Sequence, residues 1–516
     1  MTDDTRRKLM PVCFVGAGPG NPELMTLRGQ QLLREANVVF HDSGLDDGLF
    51  RSCSEGCRRI DVGHLGTPSA KDVERTAAQM IEAAKQGHRV VRLKSGDPLF
   101  YSRALDELTL LRRAGIAVEI VPGVASPHGA AAYAGVPLTD VQGSQKLAFV
   151  AATSLLGQPF DPRQFAELAA ATDTLCVMLV ADQLHAVVRT LLEQQKYRNA
   201  RALLVYRATL PTQRVVEAPL SELENHAKAH SLKEPSLLLL GDGLRHREAL
   251  NWYESQPLFG KRLLLCRPSG QAQESANAIL RHGACVELLP LIEIGPIDGN
   301  RALVDCVNRV HDADWVIFTS ANGVDSFRRV VNDLGKDARV FGQAKIAVIG
   351  PGTARPLGAF GLQPDIIAKE HVAESLAREI LDAGRVNRVM LIRALEARDA
   401  LPDALRAAGV EVEIVPAYQT SKLANAQGER LAQLLNTGSI DAVLLTSSSM
   451  ADSLVAALGE KAVTALANVC VASIGPITTA TLETHGVKPD VTATTFTVDG
   501  LLDALESYFV RRGNAQ

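Results

Sequence analysis

The second half of this chain is written twice, and that repeat limits the possible folds more than any other feature. Arg262-Leu-Leu-Leu-Cys-Arg267-Pro268 aligns with Arg388-Val-Met-Leu-Ile-Arg393-Ala394 at an offset of 126 (388 − 262), which also carries Gly283 onto Gly409 and Pro290 onto Pro416. Ile349-Gly350-Pro351-Gly-Thr353 aligns with Ile474-Gly475-Pro476-Ile-Thr478 at an offset of 125 (475 − 350), followed by Gly361/Gly486, Pro364/Pro489 and Asp365/Asp490. Between them lie Asp314-Trp-Val-Ile-Phe-Thr319-Ser320 and Asp441-Ala-Val-Leu-Leu-Thr446-Ser447. So long a period fits one duplicated supersecondary block rather than a solenoid. Two α/β lobes with a cleft between them are expected, the repeated Gly-Pro-x-Thr and Thr-Ser loops facing it.

At 516 residues the chain exceeds one core, so about three to four domains of ~100–150 residues are expected. Aromatic residues make up 4%, too few for nucleic-acid stacking platforms, and a net charge of −4 gives no bulk attraction to polyanions. No apolar run is long enough for a signal peptide or a membrane span, which points to a cytoplasmic protein. Eight cysteines are scattered, Cys53 and Cys57 being the one close pair, and they complete no metal site.

Short β-rich runs at 12–15, 38–40, 90–93, 118–121, 147–151, 176–180, 202–205 and 237–240 alternate with periodic segments at 24–35, 71–85 and 104–113. The alternation predicts mainly parallel α/β layers, at least after position 260. The clearest joint is 244–260, whose Trp252, Tyr253 and Phe259 predict a segment that packs rather than flexes. A weaker joint near 122–137 divides the first half.

In the first half, Val15-Gly16-Ala-Gly18-Pro19-Gly20-Asn21-Pro22 follows the first strand. A glycine turn of this kind is weak by itself, and its prolines and spacing differ from the dinucleotide fingerprint. Val38-Val-Phe-His41-Asp42, Arg92-Leu-Lys94-Ser95-Gly96-Asp97-Pro98, Val121-Pro122-Gly123-Val124-Ala125-Ser126 and Gly129-Ala-Ala-Ala-Tyr133-Ala-Gly135-Val-Pro137 follow in order. This series resembles uroporphyrinogen-III C-methyltransferase and its tetrapyrrole methylase relatives over about 11–243. The resemblance implies S-adenosylmethionine folded between two α/β domains, against Gly18, Pro19, Gly96, Asp97, Pro98, Ser126 and Met178, with a homodimer through this half. It also implies Asp42 as the carboxylate that accepts the proton released when a pyrrole carbon is methylated. The chain departs from the family pattern at Ser95, at 101–107, at His64-Leu65, at Asp140-Val141-Gln142, at Met178-Leu179-Val180 and at Arg207-Ala208-Thr209. A methylating half and a non-catalytic binding module both remain compatible with these residues.

After residue 260, Arg267-Pro268, Thr319-Ser320-Ala-Asn322-Gly323, Val415-Pro416-Ala417-Tyr418 and Thr446-Ser447-Ser448-Ser449 join the two Gly-Pro-x-Thr corners. This half resembles uroporphyrinogen-III synthase over 260–505. The whole is therefore expected as α/β throughout, a two-domain tetrapyrrole-methylase-like half followed by a two-lobe synthase-like half. The resemblance implies closure of hydroxymethylbilane to uroporphyrinogen III with inversion of the last ring, without cofactor or metal. It implies lobes of 260–291 plus 419–508 and of 292–418, joined near 289–294 and 415–420. Backbone N–H groups at 319–322, 352–353, 447–449 and 477–478 would start helices, where anions are favoured. Arg267, Thr319, Ser320, Asn322, Thr353, Ser447, Ser448 and Thr478 are thus the expected substrate contacts, although helix capping alone would also explain the hydroxyls. Tyr418 matches the family tyrosine placed beside the leaving hydroxyl, and its repeat partner is Ile292, so it breaks the symmetry of the pair. A tyrosine on a strand is more often plain core. A two-lobe ligand sensor without turnover is the third reading.

Overall fold

The structure, a computed structural model, describes residues 10–513 apart from 55, 64–68, 142, 153–159, 180–182, 230–235, 371–372 and 398. His64, Leu65, Gln142 and Val180 lie outside the described residues. The first sheet is built from β1 (Val12–Gly16), β2 (Val38–His41), β3 (Arg58–Asp61), β4 (Val90–Lys94) and β5 (Val118–Val121), in the order β3-β2-β4-β1-β5. All its pairings are parallel. The expected helix at 24–35 is split. A 3-10 turn, Pro22–Leu24, comes first, and the helix Leu27–Glu35 starts only where the Thr26 hydroxyl accepts from the Gly29 N–H.

The second sheet contains β6 (Leu147–Ala151), β7 (Thr174–Leu179), β8 (Arg201–Tyr206), β9 (Arg214–Pro219) and β10 (Ser236–Leu240), in the order β6-β7-β10-β8-β9. Only β6 and β7 are parallel here; β10 runs antiparallel to both its neighbours, and β8 to β9. The loop between β8 and β9 is too short for a parallel crossover, which needs a dozen residues or more, so these two strands close as a hairpin.

The second half holds β11 (Arg262–Leu265), β12 (Cys285–Leu288), β13 (Ile292–Gly295), β14 (Trp315–Phe318), β15 (Lys345–Val348) and β16 (Ile366–Ile367). β17 (Arg388–Ala394), β18 (Glu411–Lys422), β19 (Ala442–Leu445), β20 (Cys470–Ser473) and β21 (Val491–Thr492) complete it. One sheet reads β12-β11-β19-β20-β21 and the other β13-β18-β17-β14-β15-β16. The sequence repeat pairs β11 with β17, β19 with β14 and β20 with β15, and under that pairing the two sheets share one strand order. The duplication is therefore a duplication of topology.

Matching aspartates pin both copies. The Asp314 carboxylate accepts from the Arg388 N–H at 3.0 Å, as Asp441 does from Arg262 at 2.8 Å. Asp365 accepts from Ile346 at 2.7 Å, as Asp490 does from Val471 at 2.9 Å. Each sheet buries both faces, Leu264, Val443 and Leu445 on one side of the first and Leu263, Leu265 and Leu444 on the other. That is why these strands read as unbroken apolar runs rather than as alternations.

β18 belongs to two pairings. Its first part runs parallel to β17, and its last four residues run antiparallel to β13, from Gln419 opposite Gly295 to Lys422 opposite Ile292. Between them the register slips at Arg393/Ala394, so that Pro416 faces Arg393 and Tyr418 faces Ala394. Ala417 is the extra residue of a bulge. The 244–260 segment packs on the first half: the Tyr253 ring lies 4.6 Å from Tyr133 and 5.2 Å from Phe259.

Candidate functional site

In each lobe of the second half, parallel strands send their following loops to one edge. Thr319-Ser320 follows β14 and Gly350 follows β15, while Arg267 follows β11, Ser447 follows β19 and Gly475 follows β20. This strand edge is where ligands bind in open α/β sheets. Arg355, in the helix Pro351–Ala359 of one lobe, lies 3.3 Å from Glu274, in the helix Ser269–Arg281 of the other. The pair spans the lobes, from the helix that follows the Gly350 corner to the helix that follows the Arg267 loop.

Tyr418 and Ser320 come together: the two hydroxyls are 2.9 Å apart. The bulge at Ala417 makes this possible, because it puts Ala417 and Tyr418 in the same apolar cluster although they are consecutive. Ser320 also caps the helix Ala321–Asp333, accepting from the Gly323 N–H at 3.2 Å. The Tyr418 hydroxyl thus sits at a positive helix end. Asn322 is half-buried in the first turn of that helix, directly after the Thr319-Ser320 loop.

Arg267 donates to the Ser275 hydroxyl at 2.7 Å, and its Nε is buried with no protein acceptor among the described residues. Burial lowers its pKa and Glu274 opposes the shift, yet a guanidinium stays charged. Its repeat partner Arg393, buried and paired with Asp399 at 2.7 Å, was not singled out by sequence reasoning. The offset that links Arg267 to Arg393 carried the signal. Ser447 caps the helix Ser448–Leu458 through Met450 N–H and touches Ser449 at 3.0 Å, and Ser448 is half-buried beside it. Thr353 and Thr478 are both buried, so the exposed residues at the two corners are Pro351 with Gly352 and Pro476 with Ile477.

In the first half, the strand-end glycines pack backbone to backbone. A Cβ on Gly123 would lie 2.2 Å from the Gly96 carbonyl oxygen, and Gly18 and Gly96 form a two-residue bridge with N···O of 2.9 and 3.2 Å. Asp97 ties this turn down, accepting from Leu99 N–H at 2.8 Å and from Gly123 N–H at 3.0 Å. A cavity of about 350 Å³ opens beside it, lined by Asp97, Leu99, Phe100, Gly123, Val124, Ala125 and His128. Ser126 borders the turn, its hydroxyl 3.1 Å from where a Gly96 Cβ would be. Pro19, Pro98 and Met178 are not among the lining residues. Pro19 instead sits on Gly129, where a Cβ would lie 2.4 Å from its ring, Pro98 is buried, and Met178 belongs to β7 in the other sheet.

Asp42, the residue after β2, lies inside an ionic group. Its carboxylate is 2.6 Å from Arg92 Nη2 and 3.2 Å from Lys94 Nζ, and it accepts from the Ser95 N–H at 3.0 Å. Arg92 also meets Glu107 at 2.9 Å. Burial works against the Asp42 charge, but Arg92, Lys94 and the Ser95 N–H outweigh it and hold the carboxyl below its ordinary value. An aromatic wall escaped sequence reading. Phe149 of the second sheet lies 5.4 Å from Phe100 and 5.2 Å from His128. The Tyr101 hydroxyl donates to the Phe149 carbonyl at 2.5 Å from a backbone at φ 48°, a region costly for any residue but glycine. Tyr101 stands where the chain departs from its family pattern, and that departure was the available signal.

Among the described residues no helix is long and apolar enough to cross a membrane. Residues 11–224 match the family of Tetrapyrrole (Corrin/Porphyrin) Methylases, and residues 273–503 match Uroporphyrinogen-III synthase HemD. The chain is 28% identical to a porphyrin biosynthesis protein HemD of Ruminiclostridium josui, over 96% of this chain and 97% of that one. It is 34% identical to the siroheme synthase of Thiobacillus denitrificans over 48% of this chain, and spans about half (51%) of that relative's length. A solved uroporphyrin-III C-methyl transferase from Thermus thermophilus, complexed with S-adenyl homocysteine, is 31% identical, with 46% of this chain and 99% of that one covered and a TM-score of 0.38. The chain is a tetrapyrrole-biosynthesis fusion in which a member of the tetrapyrrole methylase family precedes a member of the uroporphyrinogen-III synthase family.

Proposed function

We propose that the second half closes hydroxymethylbilane to uroporphyrinogen III with inversion of the last ring. The first half then transfers methyl groups from S-adenosylmethionine to that product, giving precorrin-2 on the route to siroheme or corrinoids. The observation that carries this reading is the 2.9 Å contact between Tyr418 and Ser320 at a positive helix end. As the substrate C–O bond breaks, Tyr418 donates its proton to the departing hydroxyl, which leaves as water. The Ser320 hydroxyl and the helix end stabilise the phenolate. After the ring closes, the pyrrole carbon that must lose a proton returns it to Tyr418. Arg267, Thr319, Asn322, Ser447, Ser448 and the corners at Thr353 and Thr478 hold the carboxylates and keep a flexible chain in the productive fold.

The cavity beside Asp97 fits a folded sulfonium nucleoside: Leu99, Phe100, Val124 and Ala125 offer apolar walls, and Gly123 offers bare backbone. When bound, S-adenosylmethionine supplies an electrophilic methyl group. Gly18 and Gly96 form the turn beside that cavity and Ser126 borders the turn, whereas Pro19, Pro98 and Met178 are not among the lining residues. Asp42, kept ionised by Arg92 and Lys94, is a weak base, so it accepts a proton only from a carbon made acidic by methylation. Proposed limits are 11–243 and 261–508 with 244–260 between them. A cytoplasmic setting and a homodimer through the first half complete the reading. The second reading, a front half that binds without transferring, rests on the Tyr101–Phe149 contact, which ties the loop after β4 to the second sheet beside the cavity.

Hydroxymethylbilane supplied with and without S-adenosylmethionine separates these readings. The expected products are the dimethylated derivative of uroporphyrinogen III with S-adenosylmethionine and uroporphyrinogen III alone without it. Isomer III with no added methyl favours the second reading, and closure without ring inversion ends the first.

A further inference from the structure

The two corners of the synthase half are matched in backbone but not in side chain. The repeat sets Ile477 against Gly352, and a Cβ on Gly352 would meet nothing within 4 Å. Ile477 is 68% exposed and Phe496 63% exposed, the two most exposed large apolar residues of the second half among those described. Both belong to the Gly475 corner, Ile477 being two residues beyond Gly475 in the chain. Phe496 follows β21 at the same edge as Gly475, and its Cδ1 lies 2.9 Å from where a Gly475 Cβ would be. Gly475 is thus free of a side chain where the Phe496 ring lies on it, and Ile477 is exposed two residues on, at the same corner. Around this patch the edge is hydroxylic, with Thr446, Ser447 and Ser448 after β19 and Thr494, Thr495 and Thr497 beside Phe496.

Solvated large apolar side chains in a polar edge mark a contact. We infer that Phe496 and Ile477 form a one-sided platform for the apolar face of a single pyrrole ring of the linear tetrapyrrole. The inference rests on the synthase reading above and adds to it which lobe grips a ring. A linear tetrapyrrole alternates flat apolar rings with acidic side chains, so a cleft of hydroxyls and backbone N–H groups alone would hold the acids and leave the rings unplaced. Inversion of one ring requires that its neighbours stay fixed. A platform present in one lobe and missing from the other distinguishes the two ends of a near-symmetric substrate, which two identical corners could not do. An exposed aromatic face suits a pyrrole by offset or edge stacking.

The test is steady-state cyclisation of hydroxymethylbilane by the full chain, with isomer analysis of the product. Phe496→Ala and Ile477→Ala are each expected to lower kcat/KM about tenfold, mainly through KM, consistent with the loss of one ring contact. Phe496→Tyr is expected to restore it, and melting temperatures of the Ile477→Ala protein to stay at the wild-type value. If Phe496→Ala loosens the loop before the helix Val498–Gly513 and lowers the melting temperature, Ile477→Ala, which fills no core, decides. An active wild type whose Ile477→Ala and Phe496→Ala forms keep full kcat/KM overturns the platform and leaves the synthase reading standing. A wild type with no cyclisation removes both.

Discussion

Tyr418 shows how much one side chain depends on its backbone. It is only 8% exposed and packs with Val415 and Ala417, so burial alone would make it core. Its hydroxyl nevertheless finds Ser320 at 2.9 Å, and Ser320 is held in turn by capping its helix. The two roles can be separated by substitution. Tyr418→Phe keeps the ring and removes the donor, so the cyclisation rate should fall by about a hundredfold, the lower range for a general acid, with the melting temperature nearly unchanged. Ser320→Ala removes a cap as well as a partner. It should cost about 1 kcal/mol of stability along with a smaller loss of rate. Thermal melts run beside single-turnover kinetics distinguish these patterns, and an unaltered rate in Tyr418→Phe would take the tyrosine out of the chemistry.

At the level of elements, β4 carries two buried cations, Arg92 and Lys94, into the first sheet, and the residue directly after β2 supplies the carboxylate that meets both. Asp42→Asn would leave Arg92 with Glu107 alone and Lys94 with no ion-pair partner in this group, which should cost roughly 3 kcal/mol, as removal of one member of a buried pair does. The same group sets an acid limit. The folded pKa of Asp42 lies below its unfolded value, so its stabilisation is complete above the ordinary carboxylate pKa of about 4 and is lost as pH falls through the folded value. Acid unfolding of the first half should therefore move to higher pH in Asp42→Asn, as read by circular dichroism. Much of this architecture was legible in sequence. Asp314, Asp441, Asp365 and Asp490 recur because each makes the same side-chain-to-backbone bond in its copy, and those bonds fix the strand order. The bulge at Ala417 was not legible, since an extra residue leaves the apolar pattern of β18 intact while changing which side chain reaches Ser320. The Tyr101–Phe149 contact joins the loop after β4 to a strand of the second sheet 48 residues on, and no local pattern encodes it.

Across the whole molecule, 244–260 is less a tether than the last layer of the first half. Tyr253 is 2% exposed, its hydroxyl donates to the Thr209 carbonyl at 3.3 Å, and its ring contacts Tyr133, Trp252 and Phe259. Arg247 pairs with Glu254 and donates to the Ala134 carbonyl at 2.5 Å, while Trp252 Nε1 donates to the Ala132 carbonyl at 3.1 Å. These contacts cover the helix Ser126–Tyr133, which borders the Asp97 cavity at its other end. Thr209 is held at φ 69° by Asn21, Gln213 and Tyr253 together, a conformation that a β-branched residue adopts only under such constraint. The segment therefore fixes the loops around the Asp97 cavity as well as joining the first half to the second, where Arg281 meets Glu23, in the 3-10 turn Pro22–Leu24, at 2.8 Å. A fragment ending at residue 243 and one ending at residue 260 should differ sharply. Deleting one buried aromatic anchor costs about 3–5 kcal/mol, and each kcal/mol moves the midpoint by roughly 2–4 °C in a domain of this size. The longer fragment should thus melt roughly 6–20 °C above the shorter and bind S-adenosylmethionine more tightly in calorimetry. Equal midpoints for the two fragments would reduce 244–260 to a tether.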